Sequence, residues 1–158
     1  VTPQNTMQHG GIFLGINCGA DYVHRGIALS DVGYAYRASV SQNFSAVSAS
    51  CLMISKILYQ QVRGLDQQYL KLSFNDVDLC LKIIKEGFKV VWTPYVTLLH
   101  RGASTIKQMS TNDKFIVQAR KENKYIHQKW LTKLANDLVP EHAPFHLVKL
   151  FKVEGKSR

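Results

Sequence analysis

Short apolar runs and one clear helical spacing organise this chain. "GGIFLGIN", Gly10 to Asn17, is an apolar run bounded by glycine and predicts a buried strand. Residues 18 to 43 carry Gly19, Gly26 and Gly33 with few periodic apolar positions, which predicts a long irregular loop; loops of that length often carry function. "FSAVSASCLMIS" predicts a second buried strand around Cys51 to Ile54. Ser55 can cap a short helix with Leu58 and Val62 on one face, closed by Gly64 in a left-handed conformation. Residues 65 to 73 read as a connector. Val77, Cys80, Leu81 and Ile84 then recur at helical spacing, so Asp76 to Glu86 is an amphipathic helix that Gly87 ends. "FKVVWT" is a strand stopped by Pro94, and "VTLLH" is an extended segment that delivers His100 to a loop. One long basic helix runs from Asn112 to Leu134, with Phe115, Ala119, Ile126, Trp130 and Leu134 as its apolar stripe. Pro140 and Pro144 break a short basic tail. There is no internal repeat.

Length and composition set bounds on this picture. The 158 residues, 46% of them apolar, suffice for one domain with a core. No apolar run is long enough to span a membrane, and nothing reads as a secretory leader. The chain opens on Val1, as expected of a piece of a longer protein. A net charge of +9 favours acidic partners such as nucleic acid, phosphorylated small molecules or an anionic membrane surface, although solubility alone would also explain it. Cys18, Cys51 and Cys80 lie far apart among apolar residues, which predicts buried thiols rather than a zinc site or disulfide framework.

The chemistry concentrates in "FNDVDLC". Asp76 and Asp78 stand two apart at a helix start. Acids there can simply accept hydrogen bonds from free N–H groups at the positive end of the helix dipole. Asp-Val-Asp also matches a metal-binding DxD pattern. On a helix, however, the two side chains diverge by about 200° and do not readily chelate one ion.

Taken together, "SAVSASCLMI", "GLDQQYL" and "FNDVDLCLKIIKEGFKVVWTPYVTLLHRGAST" resemble the C-terminal half of a family 2 glycosyltransferase of the GT-A fold. "MQHGGIFLGIN" and "VSQNFSAVSASC" resemble segments of bacterial members that build cell-surface polysaccharides. The resemblance implies an α/β fold, a mixed sheet flanked by helices. Residues 1–135 would form the acceptor and base half of the domain, and 136–158 a basic tail. It implies Asp76 as general base, with Asn75 in the place more often held by Glu and Asp78 as a support. It places Ser48, Ala49 and Ser50 along the donor or acceptor site. His100 falls where some GT-A enzymes complete a metal shell or touch the diphosphate. Arg101 and Gly102 replace the second His and Glu of many relatives, so Arg101 is a candidate phosphate partner. His24 and Arg25 in the long loop are further candidates for acceptor or phosphate contact.

The implied reaction moves a sugar from a nucleotide-diphosphate donor to a saccharide or lipid-linked acceptor, with Mg or Mn in the complete enzyme. No apolar strand ends in Asp-x-Asp, so the nucleotide-binding half is expected elsewhere and this chain is expected to be inactive alone. The expected location is cytoplasmic, with peripheral contact at the inner membrane face. Two other readings remain: a non-catalytic interaction domain derived from a transferase, and a basic nucleic-acid-binding module. The second lacks interleaved aromatic and basic residues or a helix-turn-helix, so no specific nucleic acid is expected. Trp92 reads as core, and His9, His127, His142 and His146 show no ligand spacing.

Overall fold

The computed structural model describes residues 1–14, 20–100 and 113–131. It is a mixed α/β structure with small sheets. β1 (Ile12–Leu14) pairs antiparallel with β2 (Ala20–Tyr22), Phe13 opposite Asp21. β3 (Gln42–Asn43) pairs antiparallel with β4 (Val91–Trp92). The expected single mixed sheet is therefore corrected to two antiparallel pairs. They are nearly continuous: the Ile12 N–H donates to Ala46 O at 2.9 Å and the Phe44 N–H to Val90 O at 3.0 Å. Residues 42–46 thus pair with β4 at one end and with β1 at the other. Gly11 is required at this crossing. Its φ is +112°, and a Cβ there would meet the Phe44 ring at 2.4 Å.

Two sequence expectations fail here for the same reason: strands need partners. The predicted loop over 18–43 contains β2, because β1 supplies a neighbour. The predicted strand around Cys51 to Ile54 is absent. Ala49–Cys51 is a 3-10 turn, and Leu52 to Ile54 follow without a ladder. Leu52 and Ile54 pack on the core, whereas Met53 is 99% exposed. Apolar composition made this segment look like a strand, but no described residue pairs with it. Cys51 is also exposed rather than buried.

The helices follow their local signals more closely. α1 (Lys56–Gln61) is capped by Ser55, whose Oγ accepts from Leu58 N at 3.2 Å. Arg63 takes the first left-handed position after it, and Gly64 follows, also at positive φ. α2 (Asn75–Lys85) begins one residue earlier than the periodicity predicts. It ends in a Schellman motif: Gly87 N donates to Ile84 O at 2.9 Å and Phe88 N to Ile83 O at 3.2 Å. α2 is buried well beyond its apolar stripe, since Asp78 and Leu79 are enclosed as well. α3 (Asp113–Ile126) continues into a π-helical turn, His127–Leu131. Leu134, the tail and the proposed boundary at 135 lie outside the described residues. The main core joins β1, Ala46, α1, α2 and Val90, and Phe13, Phe44 and Trp92 form a smaller cluster.

Candidate active site

Asp76 lies in the first turn of α2, half-buried. Phe74, which precedes the helix, has φ 60° and gives it no side-chain cap. Asp76 supplies local acceptance instead: its Oδ1 takes the Val77 N–H at 2.9 Å, and its Oδ2 takes the Ala49 N–H at 3.1 Å. That second bond ties the small-residue stretch to the carboxylate. Ser48 caps the 3-10 turn, its Oγ accepting from Ser50 N at 3.3 Å, and the turn presents Ala49 N to the carboxylate. Each Asp76 oxygen retains a lone pair for another donor. Asn75 and Asp76 line a cleft of about 340 Å³ with Ile12, Ala20, Tyr22 and Arg25. Arg25 lies 5.7 Å from the Tyr22 ring centroid and 4.0 Å from Asp21. Three of the residues singled out from the sequence, Arg25, Asn75 and Asp76, therefore share one cleft.

Asp78 turns the other way, into the protein, with no solvent exposure. Its Oδ1 accepts from Trp130 Nε1 at 2.7 Å and lies 2.8 Å from Lys129 Nζ. Lys82 Nζ sits 2.9 Å from Oδ2, an ion pair without hydrogen-bond angles. This carboxylate fastens α2 to the end of the α3 helix. Glu122, also fully buried, performs a related task that periodicity did not reveal. It accepts from the consecutive N–H groups of Lys71, Leu72 and Ser73 at 2.7–3.2 Å and from Gln118 Nε2 at 2.7 Å. The only sequence signal was an acid placed on the inward stripe between Ala119 and Ile126. Asp66, in "GLDQQYL", accepts from Tyr69 N, Tyr125 Oη and Lys129 Nζ. Burial opposes ionisation of Asp66, but the Tyr69 N–H, the Tyr125 hydroxyl and Lys129 outweigh it and lower its pKa.

The histidines separate. His24, at φ 58°, packs over Gly10 and Gly33 and does not line the Asp76 cleft. Burial first, then Arg37, lowers its pKa against the opposing pull of Asp31. His100 Nδ1 meets Gln8 Oε1 at 2.7 Å. Because that oxygen only accepts, Nδ1 of His100 is the donor in this pair. His100, Gln8, His9 and Ser50 line a second, larger groove of about 1070 Å³ whose walls are mostly apolar. His9, which the sequence reading passed over, stacks on Tyr22 at 5.1 Å and 25°. Arg101 lies outside the described residues. No group of three His, Cys, Asp or Glu side chains among the described residues is placed to hold a metal ion. His100 alone offers one nitrogen, so the described residues do not fit a divalent ion by themselves.

Comparison with known proteins gives two relatives. The chain is 34% identical over 130 residues to the uncharacterised protein y4gI of Sinorhizobium fredii, covering 82% of this chain and 14% of that protein. It is 21% identical over 104 residues to the O-antigen biosynthesis protein RfbC of Myxococcus xanthus, covering 65% of this chain and 8% of that one. The chain thus spans a small part of each curated relative. No family model matches it, and no solved structure matches it.

Proposed function

We propose that this chain is the acceptor and base portion of an inverting glycosyltransferase of the GT-A type, working in surface-polysaccharide synthesis. The observation that carries the reading is Asp76: a half-buried carboxylate at the start of α2, held by the Ala49 N–H and open to a cleft shared with Asn75 and Arg25. The similarity to an O-antigen biosynthesis protein supports the process, and the sequence patterns support the reaction class.

In this reading the acceptor hydroxyl lies against Asp76. As its oxygen bonds to the anomeric carbon of the donor, the bond from that carbon to the diphosphate breaks. The hydroxyl proton passes to the carboxylate, and the diphosphate leaves with the bonding electrons. A carboxylate is a weak base, but the hydroxyl acidifies only as its bond to carbon forms, so placement outweighs basicity. Arg25 lines the same cleft and serves as a partner for polar groups of the substrate. The donor site belongs to other parts of the parent protein, and no step is assigned to a metal.

The test is transfer by the longer parent protein with Asp76→Asn. The variant keeps the fold and donor binding and loses about 10²–10⁴ in rate. Turnover near that of the unsubstituted protein excludes the role.

A further inference from the structure

We propose that the extended segment 52–54 is the open edge of a sheet, completed by an apolar strand from another part of the longer parent protein that lies in the larger groove. The inference rests on the reading of this chain as one portion of a transferase, and it names the surface on which the rest of that protein docks.

The segment has the conformation of a strand without a strand's partners. Leu52 sits at φ −133° and ψ 135°, and Ser55, which follows the segment, is again extended at φ −66° and ψ 142°. The side chains alternate: Leu52 and Ile54 pack on the main core, and Met53 between them is exposed. That is the period of two expected of a strand with one buried face. Yet among the described residues no hydrogen bond reaches an N–H or C=O of Leu52, Met53 or Ile54. Sheet edges meant to face water are commonly blunted by charge or proline. Residues 51–55 carry neither.

The groove beside the segment selects the occupant. Leu52, Met53 and Ile54 all line it, together with Cys80, Ile83 and Val90 of the main core. No Asp or Glu among the described residues lines it, so an apolar occupant buries no carboxylate there. A lipid or other small apolar molecule would cover these side chains but leave the backbone of the edge unanswered. A polypeptide strand answers both: its main chain bonds the edge and its alternate side chains enter the groove. A second copy of this chain is the poorer occupant, because each copy carries +9 and the two repel. A strand tethered within one protein acts instead at an effective concentration on the order of millimolar. The matched regions make up 14% and 8% of the two relatives, and in a parent of that kind most of the sequence remains to supply the strand.

Two measurements on the longer parent protein test this. In the first, p-benzoylphenylalanine replaces the exposed Met53, the protein is irradiated, and the cross-linked peptides are mapped by mass spectrometry. The expected product joins position 53 to a segment of the same molecule outside residues 1–158. A cross-link to a second copy, to lipid, or only within residues 1–158 overturns the proposal. The second is amide hydrogen exchange in the unsubstituted parent, read residue by residue. In a strand, alternate residues offer their N–H groups to one edge. Either the Met53 amide or the Leu52 and Ile54 pair is therefore expected to exchange about a hundredfold or more slower than the rate of an open chain. Open-chain rates at all three amides overturn the proposal, even if something else covers the groove. The outcome is separable from the base assignment. A protected edge in a parent whose turnover is untouched by Asp76→Asn keeps the docked strand and removes the base. An unprotected edge in a parent that needs Asp76 removes the strand alone.

Discussion

Glu122 enters the interior as a charge and has it answered by three successive backbone N–H groups, those of Lys71, Leu72 and Ser73. Such a row of amides forms an anion-binding concavity, here filled from within. The row ends one residue before Phe74, so the carboxylate fixes the approach to α2 and hence the position of Asp76. Glu122→Ala leaves these donors buried and unanswered and costs about 3 kcal/mol or more, read as a lower urea midpoint. Glu122→Gln, which keeps one acceptor, costs less. In the Ala variant hydrogen exchange at the Lys71, Leu72 and Ser73 amides speeds up relative to the core of α2; unchanged exchange there refutes this role. None of this was legible from composition, because an acid on a basic helix reads as a solvated charge. The position of Asp76 in the first turn of α2, by contrast, was legible, because a helix start is local information.

At the scale of elements, α3 acts as a clasp built from polar contacts. Glu122 reaches the loop before α2, Tyr125 and Lys129 reach Asp66, and Lys129 with Trp130 reaches Asp78. Sequence periodicity found the helix and placed Ile126 and Trp130 on its inner face, but not the polar contacts that seat it. Those depend on partners about 50 residues away or more, which no local window contains. The same limit explains the missing strand at Leu52 to Ile54, whereas the Ser55 cap and the Gly87 terminus need only their neighbours and were readable. The clasp has a pH dependence of definite sign. The folded Asp66 pKa is lowered below the ordinary carboxylate value near 3.9, so its stabilising contribution is complete above that value. The contribution is lost as pH falls through the lowered folded value. Stability curves for the chain and for Asp66→Asn therefore converge toward acid, and a constant gap between them down to about pH 2 would refute the assignment.

For the whole molecule, the uneven covering of the core matters most. Ile57, Met53, Tyr95, Val96, Leu98 and Leu99 are all exposed, and most of them border the larger groove. Exposed apolar surface of this kind drives association. The isolated chain is expected to self-associate as concentration rises, seen as an increase in weight-average mass by sedimentation equilibrium. Met53→Glu combined with Leu99→Lys should reduce it, and a strictly monomeric chain at millimolar concentration contradicts the expectation. The net charge of +9 opposes association through mutual repulsion, so added salt should promote it. No helix among the described residues is long and apolar enough to cross a membrane. The mixed α/β class was expected from the resemblance, and local spacing placed α1 and α2 within it. The sheet arrangement was not legible, because pairing two-residue strands depends on contacts such as Phe44 with Val90 that lie far apart in the chain.

The two described cysteines differ in a way that offers an experimental handle. Burial pushes the Cys80 thiol up to about 11, and its Sγ–H points at Val47 O at 3.8 Å, so it is sealed and almost wholly protonated at neutral pH. Cys51 is exposed at the end of the turn whose Ala49 N–H grips Asp76. Of these two thiols, only Cys51 is open to a maleimide or a spin label. A fluorophore or nitroxide attached there would sit two residues from the amide that holds the proposed base. Arrival of an acceptor, or of the rest of the parent protein, could then be followed by spectroscopy without altering a residue assigned to the chemistry.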